Sequence, residues 1–401
     1  MTLSPPWPPA PLEDAWRDAL EATLARPVTA SALARMVAQQ AARYRGEGGP
    51  HAHEDGLTAR LLFWFPRDVV KVARPVAELL RGGVLPTRPL RILDVGAGLG
   101  ATSLGVLRAL AGHRTVASID AVDLDGAALS KLRGLYQNAA SRGLLASGVT
   151  LNTLTQNAAE GGLPRGPYDL VLLGLAGVEI TQGLSTPEAR AEALSAVLTR
   201  LVDTLCDDGA LIVIEPGSRD ASRVLHHARA RALALGQTVY APCLHSGPCP
   251  MLRSEHDWCH EDYREGSLPA WLVGVARDAG LRWEGPTWSY LVLRRDRRRL
   301  VDALAPTAPN RRLLRVIEAP TVTKGKTETW LCGDLDDARH DTRALELDRV
   351  GKGHTVRLRD TRRGDIIQTS TENTRTTSLN IRLSPDDWER IAFNHIDPSH
   401  G

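Results

Sequence analysis

Apolar positions recur at helical spacing over Leu12–Ala25 and Thr29–Arg45, and again over Leu57–Leu80, where Pro66 and Pro75 interrupt the period. That spacing predicts helices with one buried face. A polar break at Gly46–Gly56 divides them. Residues 12–85 therefore read as a helical cap behind a Pro-rich, disordered stretch at 1–11. From Arg91 to Arg294 the pattern changes. Short apolar runs fall at Arg91–Val95, Ser118–Asp123, Val149–Leu154, Tyr168–Leu173, Ala210–Glu215, Leu281–Glu284 and Ser289–Arg294. Amphipathic stretches fill the gaps at Ala101–Ala111, Gly126–Ser141, Pro187–Leu205, Arg219–Leu235 and Pro269–Ala279. Strand alternating with helix predicts a parallel sheet covered on both faces. The expected fold class is α/β, Rossmann-like, with a seven-stranded sheet over 86–295 whose last two strands form an antiparallel pair.

Beyond the sheet, short runs at Arg312–Ile317, Glu328–Cys332 and His354–Asp360 are separated by turn residues. They predict a small β domain over 311–370, joined by an Arg-rich linker at 296–310. From Thr369 the run TSTENTRTTS reads as a flexible linker. Within 371–401, Leu379–Ile396 predicts a short strand and then a helix at Pro385–Phe393, a docking element.

The first strand runs into the glycines of LRILDVGAGLG, Leu90–Gly100, and a helix follows at once. A strand, a glycine turn and a helix start let backbone approach a ligand closely, because glycine has no Cβ and tolerates positive φ. Asp123 ends the second run 25 residues after Gly98, where a doubly wound fold places the carboxylate that holds a ribose. A nicotinamide dinucleotide fits less well, since its third glycine would fall at Ser103. D-V-G-A-G-x-G resembles the S-adenosylmethionine turn of class I methyltransferases. The resemblance implies Gly96, Ala97, Gly98 and Gly100 under the cofactor, Asp94 near its methionine end, Asp123 on the ribose and Asn157 with Ala158 beside the adenine. The cofactor carboxylate is expected at the helix start near Ala101, whose free N–H groups favour an anion.

After Tyr168–Leu173, many amino-methylating members of that class carry N/D-P-P-Y/F; here the chain reads Gly174-Leu175-Ala176-Gly177. Glu179 is the nearest titratable group and reads as a solvated helix-start acid. Methyl transfer needs a positioned nucleophile and sometimes a base. No catalytic residue can be named from the sequence.

Composition narrows the class further. A formal net charge of +2 over 401 residues confines any nucleic-acid surface to a local patch. No apolar run approaches the roughly 18 residues of a membrane span. The N-terminus has neither the charged start and apolar core of a secretory signal nor the Arg-rich character of a mitochondrial presequence. A cytoplasmic location and no membrane partner are expected, with a monomer favoured.

Five cysteines, three of them clustered, suggest metal in a reducing compartment rather than disulfides. In Ala241–His260, APCLHSGPCPMLRSEHDWCH, five residues separate Cys243 from Cys249 and nine more precede Cys259. This loop is expected to interrupt the fold before the sixth strand. Cys332, in TWLCGD, offers a fourth thiolate, whereas Cys206 reads as a buried structural thiol. Four thiolates suit zinc or an iron–sulfur cluster. The spacing is looser than zinc knuckles use, while His245, His256 and His260 keep a mixed zinc site open.

Here LIVIEPG (Leu211–Gly217), A-P-C, G-P-C-P and D-W-C-H, in that order, resemble the mitochondrial small-ribosomal-subunit assembly factors called methyltransferase-like protein 17, with their yeast and bacterial relatives. The resemblance covers about Leu57 to Cys332. It implies a class I methyltransferase-like fold, a four-iron, four-sulfur cluster on Cys243, Cys249, Cys259 and Cys332, and association with the small ribosomal subunit or its rRNA. Two departures stand out. Glu261 replaces the usual aromatic after D-W-C-H, and the approach to the last cysteine is the weakly basic TVTKGK. The eight Arg against two Asp over Arg294–Arg315 form the expected RNA contact. The rival readings are an active methyltransferase on RNA, protein or a small molecule, and a zinc-stapled RNA-binding protein with a vestigial cofactor pocket.

Overall fold

A computed structural model describes residues 11–391 except 48–52, 147, 159, 264–267, 282–284, 305–309, 336–338, 351–355, 371–374, 378–379 and 386–387. Its first sheet comprises β1 (Leu90–Val95), β2 (Val116–Asp123), β3 (Thr150–Thr155), β4 (Tyr168–Gly174), β5 (Leu205–Pro216), β6 (Thr238–Ala241), β7 (Glu261–Asp262) and β8 (Thr287–Arg294). The order is β3-β2-β1-β4-β5-β8-β6, with β7 on the start of β8. Strands β1 to β5 pair in parallel, and β8 runs antiparallel to both β5 and β6. This is the strand order of a class I methyltransferase. The central runs Ile92-Leu93 of β1, Leu170–Leu173 of β4 and Ala210–Ile214 of β5 are apolar at successive positions because both faces are covered. Leu93, Val95, Leu173 and Val213 face helices α9 (Pro187–Asp203) and α10 (Arg219–Ala234). Ile92, Leu172 and Ile212 face α5 (Ala73–Arg81) and α6 (Ala101–Leu110).

The cap holds α1 (Asp14–Glu21), α2 (Ala30–Tyr44), α3 (His53–Ala59), a π turn at Arg60–Trp64, α4 (Phe65–Asp68) and α5. Trp64 and Phe65 are buried. They join Trp16 and Phe63 in one core with Leu104 of α6 and Leu132 of α7 (Gly126–Ser141).

Three expectations change. The sixth strand is Thr238–Ala241, so the cysteine loop follows it instead of preceding it. The expected strand at Leu281–Glu284 is not formed at Leu281, and 282–284 lie outside the described residues. A four-residue strand gives little periodic signal, and its partner β8 is distant in sequence. Second, Leu358–Asp360 is a 3₁₀ turn rather than part of a strand. The Asp360 carboxylate accepts from Arg357 N–H at 2.9 Å, and Glu346 accepts from Arg357 Nε at 2.6 Å and Leu358 N–H at 3.2 Å. Side-chain acceptors thus take backbone donors that a ladder needs.

Third, the C-terminal sheet extends past 370. It holds β9 (Arg311–Val316), β10 (Thr321–Thr323), β11 (Lys326–Gly333), β12 (Asp341–Leu347), β13 (Ile366–Ser370), β14 (Arg375–Thr377), β15 (Asn380–Arg382) and β16 (Trp388–Ile391), ordered β14-β15-β12-β11-β9-β13-β16 with β10 on β11. The stretch read as linker therefore contributes Thr369, Ser370 and Arg375–Thr377 to strands, and the expected helix at Pro385–Phe393 is strand at Trp388–Ile391. Pairing of β16 with β13, Thr369 opposite Trp388 and Ile366 opposite Ile391, overrides the capping signal of Ser384-Pro385. Of the stretch expected to be disordered, 1–11, residues 1–10 lie outside the described residues.

Candidate cofactor site and candidate metal centre

The glycine turn opens at the C-terminal ends of β1 and β2. Gly96 and Gly98 have φ of 67° and 51°. A Cβ on Gly96 would meet Ala176 Cβ at 2.4 Å, and one on Gly98 would meet Arg60 Nη2 at 2.9 Å. Glycine therefore lets both the loop after β4 and the cap close onto the turn. Asp123 accepts from Gly98 N–H at 2.7 Å and from Asp125 N–H at 2.8 Å. Its neighbour Leu124 is 66% exposed, an apolar surface beside the carboxylate. Asn157 follows β3, its amide donating to Glu160 at 2.6 Å. Gly100 begins α6 in the left-handed region with no side-chain cap, so the helix start at Ala101 keeps free N–H groups. Ala97 is buried in the turn.

Asp94 is buried beneath the turn, and its oxygens make no hydrogen bond of ordinary geometry. Burial pushes its carboxyl up to about 7, opposed in part by the nearby Ser103 hydroxyl and amide. The groups fit the polar ends of S-adenosylmethionine: an acid at the end of β2, an apolar flank, a buried carboxyl and a helix start with no side-chain cap.

The loop after β4 is held by Glu215 of E-P-G, a role that sequence reasoning missed. Glu215 accepts from Gly177 N–H at 2.9 Å and Val178 N–H at 3.3 Å. Burial pushes it up to about 8 despite those donors. Leu175 in this loop has a φ of 63°, a conformation that a branched side chain adopts only when its surroundings impose it.

The second site is a cavity of about 50 Å³ lined by Cys243, Cys249, Cys259 and Cys332 together with His226, Arg229 and His245. One face of α10 carries the loop. Arg223 donates to the carbonyls of Met251, Ser254 and Asp257 at 3.1, 2.6 and 2.9 Å. His226 Nε2 lies 3.2 Å from the Cys259 carbonyl. Arg229 donates to Cys243 Sγ at 3.0 Å and to the carbonyls of Gly247 and His245 at 3.0 and 2.8 Å. This rack, three residues apart along one helix, was missed because its partners are carbonyls of a loop with no repeat. Cys332 arrives from β11, with His245 Nε2 at 3.4 Å from its sulfur and His245 stacked on His340 at 4.1 Å.

Burial, reinforced by the other sulfurs, pushes Cys249 up to about 11, Cys259 up to about 12 and Cys332 well above the ordinary thiol value. Among the described residues, no three cysteine sulfurs or histidine nitrogens of this region lie within 4.8 Å of one another. His256 and His260 do not line the cavity; His256 is exposed and His260 stacks on Trp258 at 5.7 Å.

Below the cavity, Glu261 is buried 3.8 Å from Arg315, which donates to the Pro242 carbonyl at 2.7 Å and pairs with Glu78 at 2.8 Å. Glu78 also accepts from Tyr290 at 2.7 Å and pairs with Arg74. Glu261 is therefore one member of a buried charge network. Cys206 lies apart and is half-buried rather than enclosed. It shares a polar cluster with Asp169 and Asp208, where Arg88 supplies the cation at 2.5 and 2.6 Å.

A family model described as mitochondrial small ribosomal subunit Rsm22 matches residues 79–367, a span that includes the glycine turn and all four cavity cysteines. The chain belongs to the Rsm22 family. No curated protein matches it. Among solved structures, this Rsm22-family chain is similar to the plantazolicin methyltransferase in complex with SAH at 10% identity, over 66% of this chain and 95% of that one, with a TM-score of 0.34. It is similar to an S-adenosylmethionine-dependent methyltransferase from Clostridium acetobutylicum at 10% identity, over 68% and 70%, TM-score 0.26. It is also similar to a ribosomal protein L11 methylase from Lactobacillus delbrueckii subsp. bulgaricus at 18% identity, over 34% and 57%, TM-score 0.23. The fold assignment rests on the strand order, not on these low scores.

Proposed function

We propose that this Rsm22-family chain is an S-adenosylmethionine-binding, methyltransferase-like protein of the small ribosomal subunit or its assembly, that it contacts rRNA, and that a four-iron, four-sulfur cluster on Cys243, Cys249, Cys259 and Cys332 braces it. The observation that carries the proposal is the convergence of three loop cysteines and one from the second sheet on a single buried cavity. Four thiols gathered on one cavity repel one another once ionised, and a cationic centre reverses that cost. A four-iron cluster takes one cysteine per iron, and zinc held by the same four thiolates is the rival occupant. When bound, it would supply a rigid cross-link and an electron-transfer capability. Arg229 would hold one ligand, and His226 the backbone of another.

The cofactor reading is supported by Asp94, Gly96, Ala97, Gly98 and Gly100 in and beneath one turn, by Asp123 accepting from Gly98, and by Asn157 just after β3. The loop after β4 presents Leu175 and Ala176, neither of which can take or give a proton, so binding is proposed without a methyl-transfer step. The small-subunit association follows from the description of the family. Protein purified without oxygen should carry four irons and four sulfides per chain with a broad visible absorption. Stoichiometric zinc without iron would defeat the cluster assignment. Titration with S-adenosylhomocysteine should give one site, lost in Asp123→Ala.

A further inference from the structure

Arg60 stands where the cap meets the glycine turn. It begins the π turn Arg60–Trp64, a local widening that re-aims side chains and is frequent at functional sites. Its Nη2 sits 2.9 Å from where a Cβ of Gly98 would be, and Asp123 Oδ2 is 3.9 Å from that same point. The guanidinium and the ribose-facing carboxylate therefore flank one glycine. Among the described residues no carboxylate lies within ion-pair distance of Arg60. Glu179 and the Tyr44 hydroxyl feel its charge only at longer range.

A ligand lying along this turn must pass under the guanidinium. S-adenosylmethionine carries two positive groups, its sulfonium and ammonium, and one negative group, its α-carboxylate. The carboxylate is its only anionic group and so gains most from an arginine, whose planar guanidinium can bind it bidentately.

We infer that Arg60 binds the α-carboxylate of the cofactor, so that the helical cap is part of the cofactor site and selects the intact amino-acid end. This rests on the S-adenosylmethionine reading above. It assigns the carboxylate to a side chain from the cap in addition to the helix start at Ala101.

The test is calorimetry on the full chain with S-adenosylmethionine and with its decarboxylated analogue, for the parent, Arg60→Ala and Arg60→Lys. The parent should bind the intact cofactor about 10- to 100-fold more tightly than the analogue, as a charged hydrogen-bonded pair warrants. Arg60→Ala should lose most of that preference, keeping only the part that the helix start at Ala101 supplies, and Arg60→Lys should recover part of the loss. Unfolding curves matching the parent show that the variants are folded. Full discrimination retained by Arg60→Ala would overturn the inference. Tighter binding of the cofactor by Arg60→Ala would also overturn it and make Arg60 a plug. Absence of binding of either compound to the parent and to Arg60→Ala would instead defeat the cofactor reading on which the inference rests.

Discussion

At the scale of single residues, Asp94 and Glu215 are carboxyls that burial holds protonated near neutral pH, up to about 7 and about 8. Below their unfolded values, near 4, both states of the protein carry the proton and neither group affects stability. As pH rises past 4 the unfolded chain releases those protons while the folded chain keeps them, so stability falls until the folded values are passed. Each group contributes a loss of up to about 4 kcal/mol by pH 8. His226 and His245 act in the opposite direction. Burial lowers both to about 3, so they cost stability as pH falls below 6.5. The melting temperature of Asp94→Asn relative to the parent should therefore rise steadily from pH 5 to pH 8, and that of Glu215→Gln likewise. Flat differences across this range would show that the carboxyls ionise in the fold. Arg229→Met should strip the donor from one sulfur and two carbonyls at once, at roughly 3 kcal/mol or more. It should make 242–260 the first site of limited proteolysis, whereas an uncut loop would locate its support elsewhere.

At the scale of elements, α10 and β11 share one task from opposite sides. The α10 face fixes three cysteines through the loop, and β11 delivers the fourth after 72 intervening residues. Closing so long a segment has a large entropic cost, so ligand binding should be coupled to order in the second sheet. Cys332→Ser should lose its iron and become protease-sensitive over 311–391, while Cys206→Ser, beside Arg88, retains it. Iron retained in full by Cys332→Ser would sink the four-ligand assignment. Strand β9 adds a second tie. Leu314 and Val316 fill the core of the second sheet, Leu313 joins the core of the first, and Arg315 reaches Glu78. Its alternation is thus apolar on both faces, which is why no solvent face was visible in it.

At the scale of the whole molecule, folding sorts the Arg-rich segment. Arg294 and Arg315 are buried, the first paired with Asp296 at 2.5 Å, and Arg299 pairs with Asp302 at 2.7 Å. Arg295, Arg297 and Arg298 remain exposed; Arg295 is engaged by the Leu205 carbonyl and Asp207 and Arg298 lies 3.8 Å from Asp296, so a phosphate contact from this segment falls first to Arg297 and Arg298. Replacing both by Ala should weaken rRNA binding with little sequence dependence. It should flatten the logarithmic salt slope by about 0.9 per lost contact on duplex and about 0.7 on single strands. An unaltered slope would place the RNA surface on another face. The same sorting explains how a chain of net charge +2 can still present a local basic patch.

The glycine turn, its acids and the alternation of the first sheet were legible because each is a local pattern. A run buried on both faces, a turn that only glycine permits and an acid at a strand end do not depend on distant partners. The cysteines could be grouped by resemblance, and their spacing alone left zinc open; the separation of their sulfurs was decided by where α10 and β11 place them. Thr238–Ala241 and Trp388–Ile391 became strands through partners on β8 and β13, which local propensity cannot anticipate. Arg60 carries no sequence signature, and although motif or composition drew attention to Glu215, Glu261 and Arg315, neither gave their roles. A charged side chain reads as surface until the fold removes water around it and supplies the opposing group. Which charges are buried and which element each one holds was therefore settled by tertiary contacts, whereas the glycine turn was set by the order of residues.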